Sequence, residues 1–477
     1  MDMKNKMLEN MILDTDSYKF SHYEQYPPGT EKVYSYIEAR KPANMGNGNT
    51  IDSVVFYGLK YILSQFEKIT VRDVLEANEL AKNHGVPFNY DGMMYIATEL
   101  NGVLPIKIYA VPEGTVVPVS NVLLTIVNTD PKCFWLTSYL ETMLVRLWYP
   151  CTVASVSRGV KTIIKKYLDL TSDNSDTQLP FKLHDFGSRG VSCREQAAIG
   201  GSAHLINFLG TDTIVGWKLA ADIYDADVKT IGFSIPASEH STITSWTKER
   251  EFDAYLNIVN KYAKPGSIFA CVSDSYDIMN AVKNMWIPRL IPIVKEKEST
   301  VVIRPDSGDP VQTPIDIIRV LLAELVSDVT INSKGYKVLP SYVRVIQGDG
   351  MTLENIESIL KILEKEKISA ENIAFGMGAG LLQKIDRDTF SFAMKCSAMM
   401  INGEWFDVYK DPLGDSGKAS KRGQLELILN ENGEFETIPY RNSSWFESVM
   451  QCVYDNGPTD ILKRTNFNEI RIRAKVK

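Results

Sequence analysis

The chain has 477 residues, 44% of them apolar, which is more than one simple core needs and enough for two or three domains without disulfide staples. Its formal charge of -7, from 52 Lys plus Arg against 59 Asp plus Glu, repels polyanions and argues against a nucleic-acid partner. No run of 18 apolar residues and no signal-peptide core occurs, and six scattered cysteines without CxxC spacing read as reduced thiols, so no membrane partner and a cytoplasmic location are expected.

Three stretches read as loops: 41–50, 169–178 and 410–423. Residues 101–127 show the alternation of antiparallel strands. Over residues 133–148, Leu136, Leu140, Met143, Leu144 and Leu147 share one helical face, with Pro150 marking the expected end. From about residue 181 short apolar runs end repeatedly in polar or glycine-rich residues and lead into helices. The run ends are FKLHDFGSRG, IGFSIPASEH, SIFACVSDSYD, VVIRPDSGDP, VRVIQGDG and NIAFGMGAG. After the fifth comes TLENIESILKILEK, with Thr352 as N-cap and Leu353, Ile356, Ile359, Leu360 and Leu363 at helical spacing. Strand, polar loop and helix in repetition imply a parallel sheet, and six units favour an α/β barrel. Residues 390–410 and 424–440 again alternate like antiparallel strands. The expected division is a flanking α+β domain begun by 1–150 and completed by 390–477, around a barrel-like catalytic domain at 151–389.

In either parallel architecture functional groups gather at the carboxyl ends of the strands, where His184, Asp185, Arg189, His240, Asp274, Arg304, Asp306 and Asp349 fall. His240 lies in a small-residue loop before a helical segment, a setting for proton transfer or nucleophilic attack. Taken alone, such a histidine is by default a cap or a core residue. The acidic loops VSDSYD and IRPDSGDP change its company: one carboxylate can hold the imidazole while others bind sugar hydroxyls or magnesium. Mg²⁺ prefers one or two carboxylates plus substrate phosphates, so this sparse supply suits a metal-diphosphate substrate, with no protein metal cage assigned. The glycines of QGDG and FGMGAG let backbone amides approach a phosphate, although as bare runs they are also turns, and neither matches a Rossmann or P-loop motif. Arg387, Lys395, Lys410, Lys418, Lys421 and Arg422 can pair with phosphates or simply be solvated. Phe186 and Tyr18 can stack on a planar ring or pack a core.

The segments DTDSYKFSHYEQYPPGTEKVYSYIEAR, LHDFGSRGVSCREQAAIGGSAHLINFLGTDTIVG, SIPASEHSTITSW, VSDSYDIMNAV, VVIRPDSGDP, IQGDG, FGMGAGLLQK and KDPLGDSGKASKRG, in this order, together resemble the nicotinamide phosphoribosyltransferase family. The resemblance implies an irregular α/β barrel of the type II phosphoribosyltransferase kind with a flanking α+β domain, working as a homodimer with shared active sites. It implies that Phe186 and Tyr18 sandwich a nicotinamide ring, with Asp16 and Tyr18 supplied by the other subunit. It also implies that Asp212 accepts a hydrogen bond from the carboxamide, which a carboxylate favours over the carboxylate of nicotinic acid. Arg189 and Arg304 would face ring, ribose or pyrophosphate, and Asp306, Gly348 and Asp349 the ribose and 5′-phosphate region. Arg40, Arg387, Lys395 and Lys410 would meet phosphates, and Ser234, Gly378 and Ala379 complete the substrate-binding set. His240, steered by Asp274, resembles a histidine phosphorylated by ATP. The implied substrates are nicotinamide and 5-phosphoribosyl 1-pyrophosphate, with Mg²⁺, and ATP as energy-coupling co-substrate. Ala379 where the family suggests glycine, and Ser188 where it suggests an aromatic, are departures. The nearest rival reading is a nicotinate phosphoribosyltransferase; a non-catalytic binding protein on the same fold is another.

Overall fold

The computed structural model describes residues 10–46, 48–411, 420–440 and 448–476; Asn47 and Lys418, which fall in two of the expected loops, lie outside the described residues. The chain divides into two compact units. One takes Asn44–Ile51, Val153–Ile385 and Lys475–Lys477, the other Met1–Ala43, Asp52–Thr152 and Asp386–Ala474.

The first unit is an irregular α/β barrel. Its strands are β1 (Leu183–Asp185), β2 (Gly210–Thr211), β3 (Ile268–Val272), β4 (Thr300–Arg304), β5 (Val343–Gln347) and β6 (Ile373–Met377). They form one sheet in the order β3-β4-β5-β6-β1-β2, with every pair parallel. Residues 233–237 join the two edges, through parallel bridges from Phe233 to Gly210 and from Ala237 to Ala270. The IGFSIPASEH run therefore closes the curled sheet without becoming a regular strand; Pro236 brings no N–H to a ladder. The two-residue β2 was not expected, being too short to carry a pattern. Inside, Ala270, Val302 and Ile346 form a buried cluster against which Phe186, Ile235 and Ala374 pack.

Helices follow the strands as their periodicity requires. Leu353–Lys365 is helical, the Thr352 hydroxyl accepts the Asn355 N–H, and all five apolar positions named from the sequence are buried. Arg194–His204 follows β1 and Ile214–Tyr224 follows β2, and the two helices pack on each other.

The second unit centres on an antiparallel sheet in the order Glu404–Asp407, Phe392–Ile401, Thr30–Ala39, Val122–Asn128, Ile106–Ala110 and Gln451–Asp455. Leu425–Leu429 pairs with Phe435–Pro439 as a separate hairpin. The helix expected over 133–148 is instead three short turns, Pro131–Cys133, Leu136–Tyr139 and Glu141–Val145, although its five apolar residues are buried. Pro150 ends nothing: it sits in the first turn of a helix running Trp148–Thr171, where its missing N–H costs no internal bond.

Candidate active site

The barrel unit brings its chemistry to the carboxyl ends of the strands. Asp274 follows β3, Arg304 ends β4 with Asp306 two residues on, Asp349 and Gly348 follow β5, Gly378 and Ala379 follow β6, Phe186 and Arg189 follow β1, and Asp212 follows β2. His240 opens a five-residue helix, His240–Thr244, just beyond the closing segment.

On one side, four of these groups form a network across three loops. His240 Nε2 lies 3.1 Å from Asp274 Oδ1, and His240 Nδ1 lies 3.7 Å from Asp306 Oδ2. The other Asp274 oxygen accepts the Asp306 N–H at 3.0 Å and the Ser307 hydroxyl at 2.5 Å. Asp274 is thus a saturated, buried acceptor, 2% exposed, whereas the imidazole is 44% exposed. A carboxylate only accepts, so the Nε2 that faces Asp274 at hydrogen-bond distance is the donor of that pair, while Nδ1 lies beyond such a distance from Asp306. Arg304 Nε stands 3.6 Å from Asp306 Oδ1 and is buried without a hydrogen-bond partner among the described residues. The Asp306 carboxylate supplies the opposite charge there, slightly beyond hydrogen-bond distance. Ser307 carried no sequence signal beyond adjacency to Asp306.

On the other side the arrangement is one of shape. A Cβ on Gly376 would lie 2.1 Å from the Phe186 ring, so a glycine is required where the ring crosses that strand, and one on Gly348 would lie 3.2 Å from it, a tight contact. Gly210 likewise leaves room for the His184 imidazole, which an added Cβ would meet at 2.4 Å. Burial holds His184 below its ordinary pKa, with the Asp212 charge opposing. The Ser234 hydroxyl donates to Asp212 Oδ1 at 2.5 Å. Arg189 lies in the turn Ser188–Gly190, and that turn packs on the next one, since a Cβ on Gly190 would touch Ala379 at 3.7 Å.

Behind β2, His204 is fully buried; its Nε2 meets the Gly210 carbonyl at 3.1 Å and its Nδ1 the Ser157 hydroxyl at 3.0 Å. A carbonyl only accepts, so Nε2 carries the proton and Ser157 donates to Nδ1. Burial pushes this imidazole down to about 3, and it braces the strand that carries Asp212.

The remaining sequence candidates belong to the second unit. Asp16 accepts from the Thr142 hydroxyl at 2.6 Å, Tyr18 is 58% exposed, and Arg40 Nε donates to the Ser391 carbonyl at 3.0 Å. Lys395 pairs in register with Tyr36, Arg387 faces Asp388 at 3.9 Å, and Lys410 receives the Ser420 N–H at its carbonyl. Lys421 pairs with the buried Glu38. Arg40 therefore lies just past the Ala39–Phe392 end of that strand pair, and Lys395 inside it.

No group of three or more His, Cys, Asp or Glu able to hold a metal occurs among the described residues. No helix among the described residues is long and apolar enough to cross a membrane.

Family models match the chain twice: the nicotinate phosphoribosyltransferase (NAPRTase) family over residues 181–458, and the nicotinamide phosphoribosyltransferase N-terminal domain over residues 10–108. The nicotinamide phosphoribosyltransferase of Xanthomonas campestris pv. campestris is 48% identical over 476 residues, 98% of each chain. That of Acinetobacter baylyi is 32% identical, covering 97% of each. Among solved structures, nicotinate-nucleotide pyrophosphorylase from Pyrococcus furiosus superposes with a TM-score of 0.61 at 15% identity, covering 99% of this chain and 96% of that one. Human nicotinic acid phosphoribosyltransferase gives 0.56 at 13% identity, covering 96% and 92%. These two likenesses establish the type II phosphoribosyltransferase fold. With near full-length identity of 48% to one relative, the chain belongs to the nicotinamide phosphoribosyltransferase family of type II phosphoribosyltransferases.

Proposed function

We propose that the protein transfers phosphoribosyl from 5-phosphoribosyl 1-pyrophosphate to nicotinamide, yielding nicotinamide mononucleotide and pyrophosphate for NAD salvage, with ATP stimulation through His240. The observation that carries the base assignment is the Asp212 carboxylate, tied by Ser234 at the barrel mouth near the Phe186 side. A carboxylate there accepts the carboxamide N–H and repels a nicotinate carboxylate.

In the reaction the pyridine nitrogen lone pair forms the bond to the anomeric carbon. The bond from that carbon to the diphosphate oxygen breaks, and its electron pair leaves with pyrophosphate. Phe186 orients the ring, opposite Tyr18 of a second subunit in the proposed homodimer, with Asp16 beside it. Arg189 and Arg304 stabilise developing negative charge. Gly348, Asp349, Gly378 and Ala379 border the ribose and 5′-phosphate, and Arg40, Arg387, Lys395 and Lys410 serve the phosphates. The donor set fits magnesium brought on the diphosphate: Asp274 is saturated by its three donors, while Asp306 is the carboxylate left to hold the ion, which would neutralise the leaving charge.

ATP coupling uses the imidazole nitrogen not bonded to Asp274. That nitrogen forms a bond to the γ-phosphorus, the bond to the bridging oxygen breaks, and ADP leaves; Asp274 stabilises the proton kept on the other nitrogen. The phosphate adds acceptor oxygens where magnesium and diphosphate bind. Incubating the protein with nicotinamide, phosphoribosyl pyrophosphate and magnesium, with and without ATP, is expected to give nicotinamide mononucleotide in both cases and more with ATP. No mononucleotide in either case overturns the reading, and release of nicotinate mononucleotide only, when both bases are supplied, favours the acid-using alternative.

A further inference from the structure

Strand alternation at the end of β1 points His184 and Phe186 into the barrel and Asp185 away from it, where its side chain is wholly buried. Burying a carboxylate is costly unless its oxygens are engaged, so this one calls for a reason. Its Oδ1 accepts the Gly187 N–H at 2.7 Å, fixing the turn that carries Phe186 and Arg189. Its backbone carbonyl accepts the Asp212 N–H at 3.0 Å, while the Phe186 N–H donates to the Met377 carbonyl at 2.9 Å. One residue therefore ties together the ring-stacking aromatic, the adjacent arginine and the amide-recognising carboxylate. Its Oδ2 and the hydroxyl of Thr213, the residue after Asp212, are both buried and face each other, and neither has another hydrogen-bond partner among the described residues.

We infer that Asp185 is a positioning residue for the pyridine base, locking the Phe186–Gly190 turn to the Asp212 segment, with the Thr213 hydroxyl as the donor facing its second oxygen. This rests on the base-site reading above. The electrostatics agree: burial pushes the Asp185 carboxyl up to about 6, the Gly187 N–H and the proximity of the Thr213 hydroxyl oppose the rise, and the Asp212 charge adds to it. A carboxylate raised in this way gains most from one further donor.

The test is steady-state kinetics of D185A, D185N, T213V and D212N with each substrate varied in turn. D185A is expected to raise the nicotinamide KM about tenfold while the phosphoribosyl pyrophosphate KM stays within about twofold. D185N, which keeps an oxygen for Gly187, is expected to restore the nicotinamide KM to within about threefold of wild type, and T213V to raise it about threefold. A purely structural role predicts both KM values moving together, or lowered stability with unchanged kinetics, and either result overturns the inference. Should D185A fail to fold, D185N and T213V decide: an unchanged nicotinamide KM in T213V, or D185N raising both KM values alike, overturns it. If D212N leaves the nicotinamide KM unchanged, the base-site reading itself fails; if D212N raises it and D185A does not, this inference alone falls.

Discussion

The two sides of the barrel mouth hold their groups by different physics. Around His240, residues from three loops meet through hydrogen bonds, with buried Asp274 receiving three donors and Arg304 facing the Asp306 carboxylate. Around Asp212, three glycines make room for rings, and a neutral histidine and a buried aspartate brace the backbone from behind. A charged, transient leaving group needs donors that exchange partners, whereas a flat neutral base needs a slot of fixed width. Changes on the first side should alter charge handling and energetic coupling; on the second they should alter base affinity and selectivity.

The largest expected effect is on the shape side. D212N exchanges an acceptor-only carboxylate for a neutral amide, and nicotinamide kcat/KM should fall about 100-fold while the ratio of nicotinic acid to nicotinamide use rises, read by product chromatography. Next comes the acid limb of stability. The His204 imidazole has a folded value of about 3 against an ordinary 6.5, so above 6.5 both folded and unfolded chains are neutral there. Below 6.5 the unfolded chain takes up a proton that the fold refuses, and stability falls by about 1.4 kcal/mol per pH unit until about 3. Between pH 5.5 and 4.5, where this slope is nearly fully developed, urea melts should show a drop in stability that is smaller in H204Q than in wild type by about that amount. G376A places a methyl inside the Phe186 ring volume and should raise the nicotinamide KM about tenfold with the phosphoribosyl pyrophosphate KM little changed. The smallest is H240A, in which ATP stimulation should vanish while basal synthesis persists within about threefold; equal stimulation in variant and wild type removes His240 from coupling.

The same contrast explains what was legible in the sequence. Patterned elements could be read directly: the Thr352-capped helix and the run ends at Asp274, Arg304 and Asp349 depend on local periodicity and composition. What escaped depends on contacts distant in sequence. Gly210–Thr211 becomes a strand only because Asp185 and Phe233 flank it, and Ser157 reaches His204 across 47 positions. Pro150 looked like a stop because periodicity ends near it, yet a proline suits a helix start equally well. Asp185 was visible beside Phe186, but its burial on the outer side of the strand and its grip on Gly187 require the strand's facing to be known.

The most direct measurement is a competition assay: equimolar nicotinamide and nicotinic acid, with phosphoribosyl pyrophosphate and magnesium, products separated by chromatography. Nicotinamide mononucleotide in large excess over nicotinate mononucleotide for wild type, with that excess collapsing in D212N, is the expected result. Predominant nicotinate mononucleotide from wild type, or an unchanged product ratio in D212N, would contradict it.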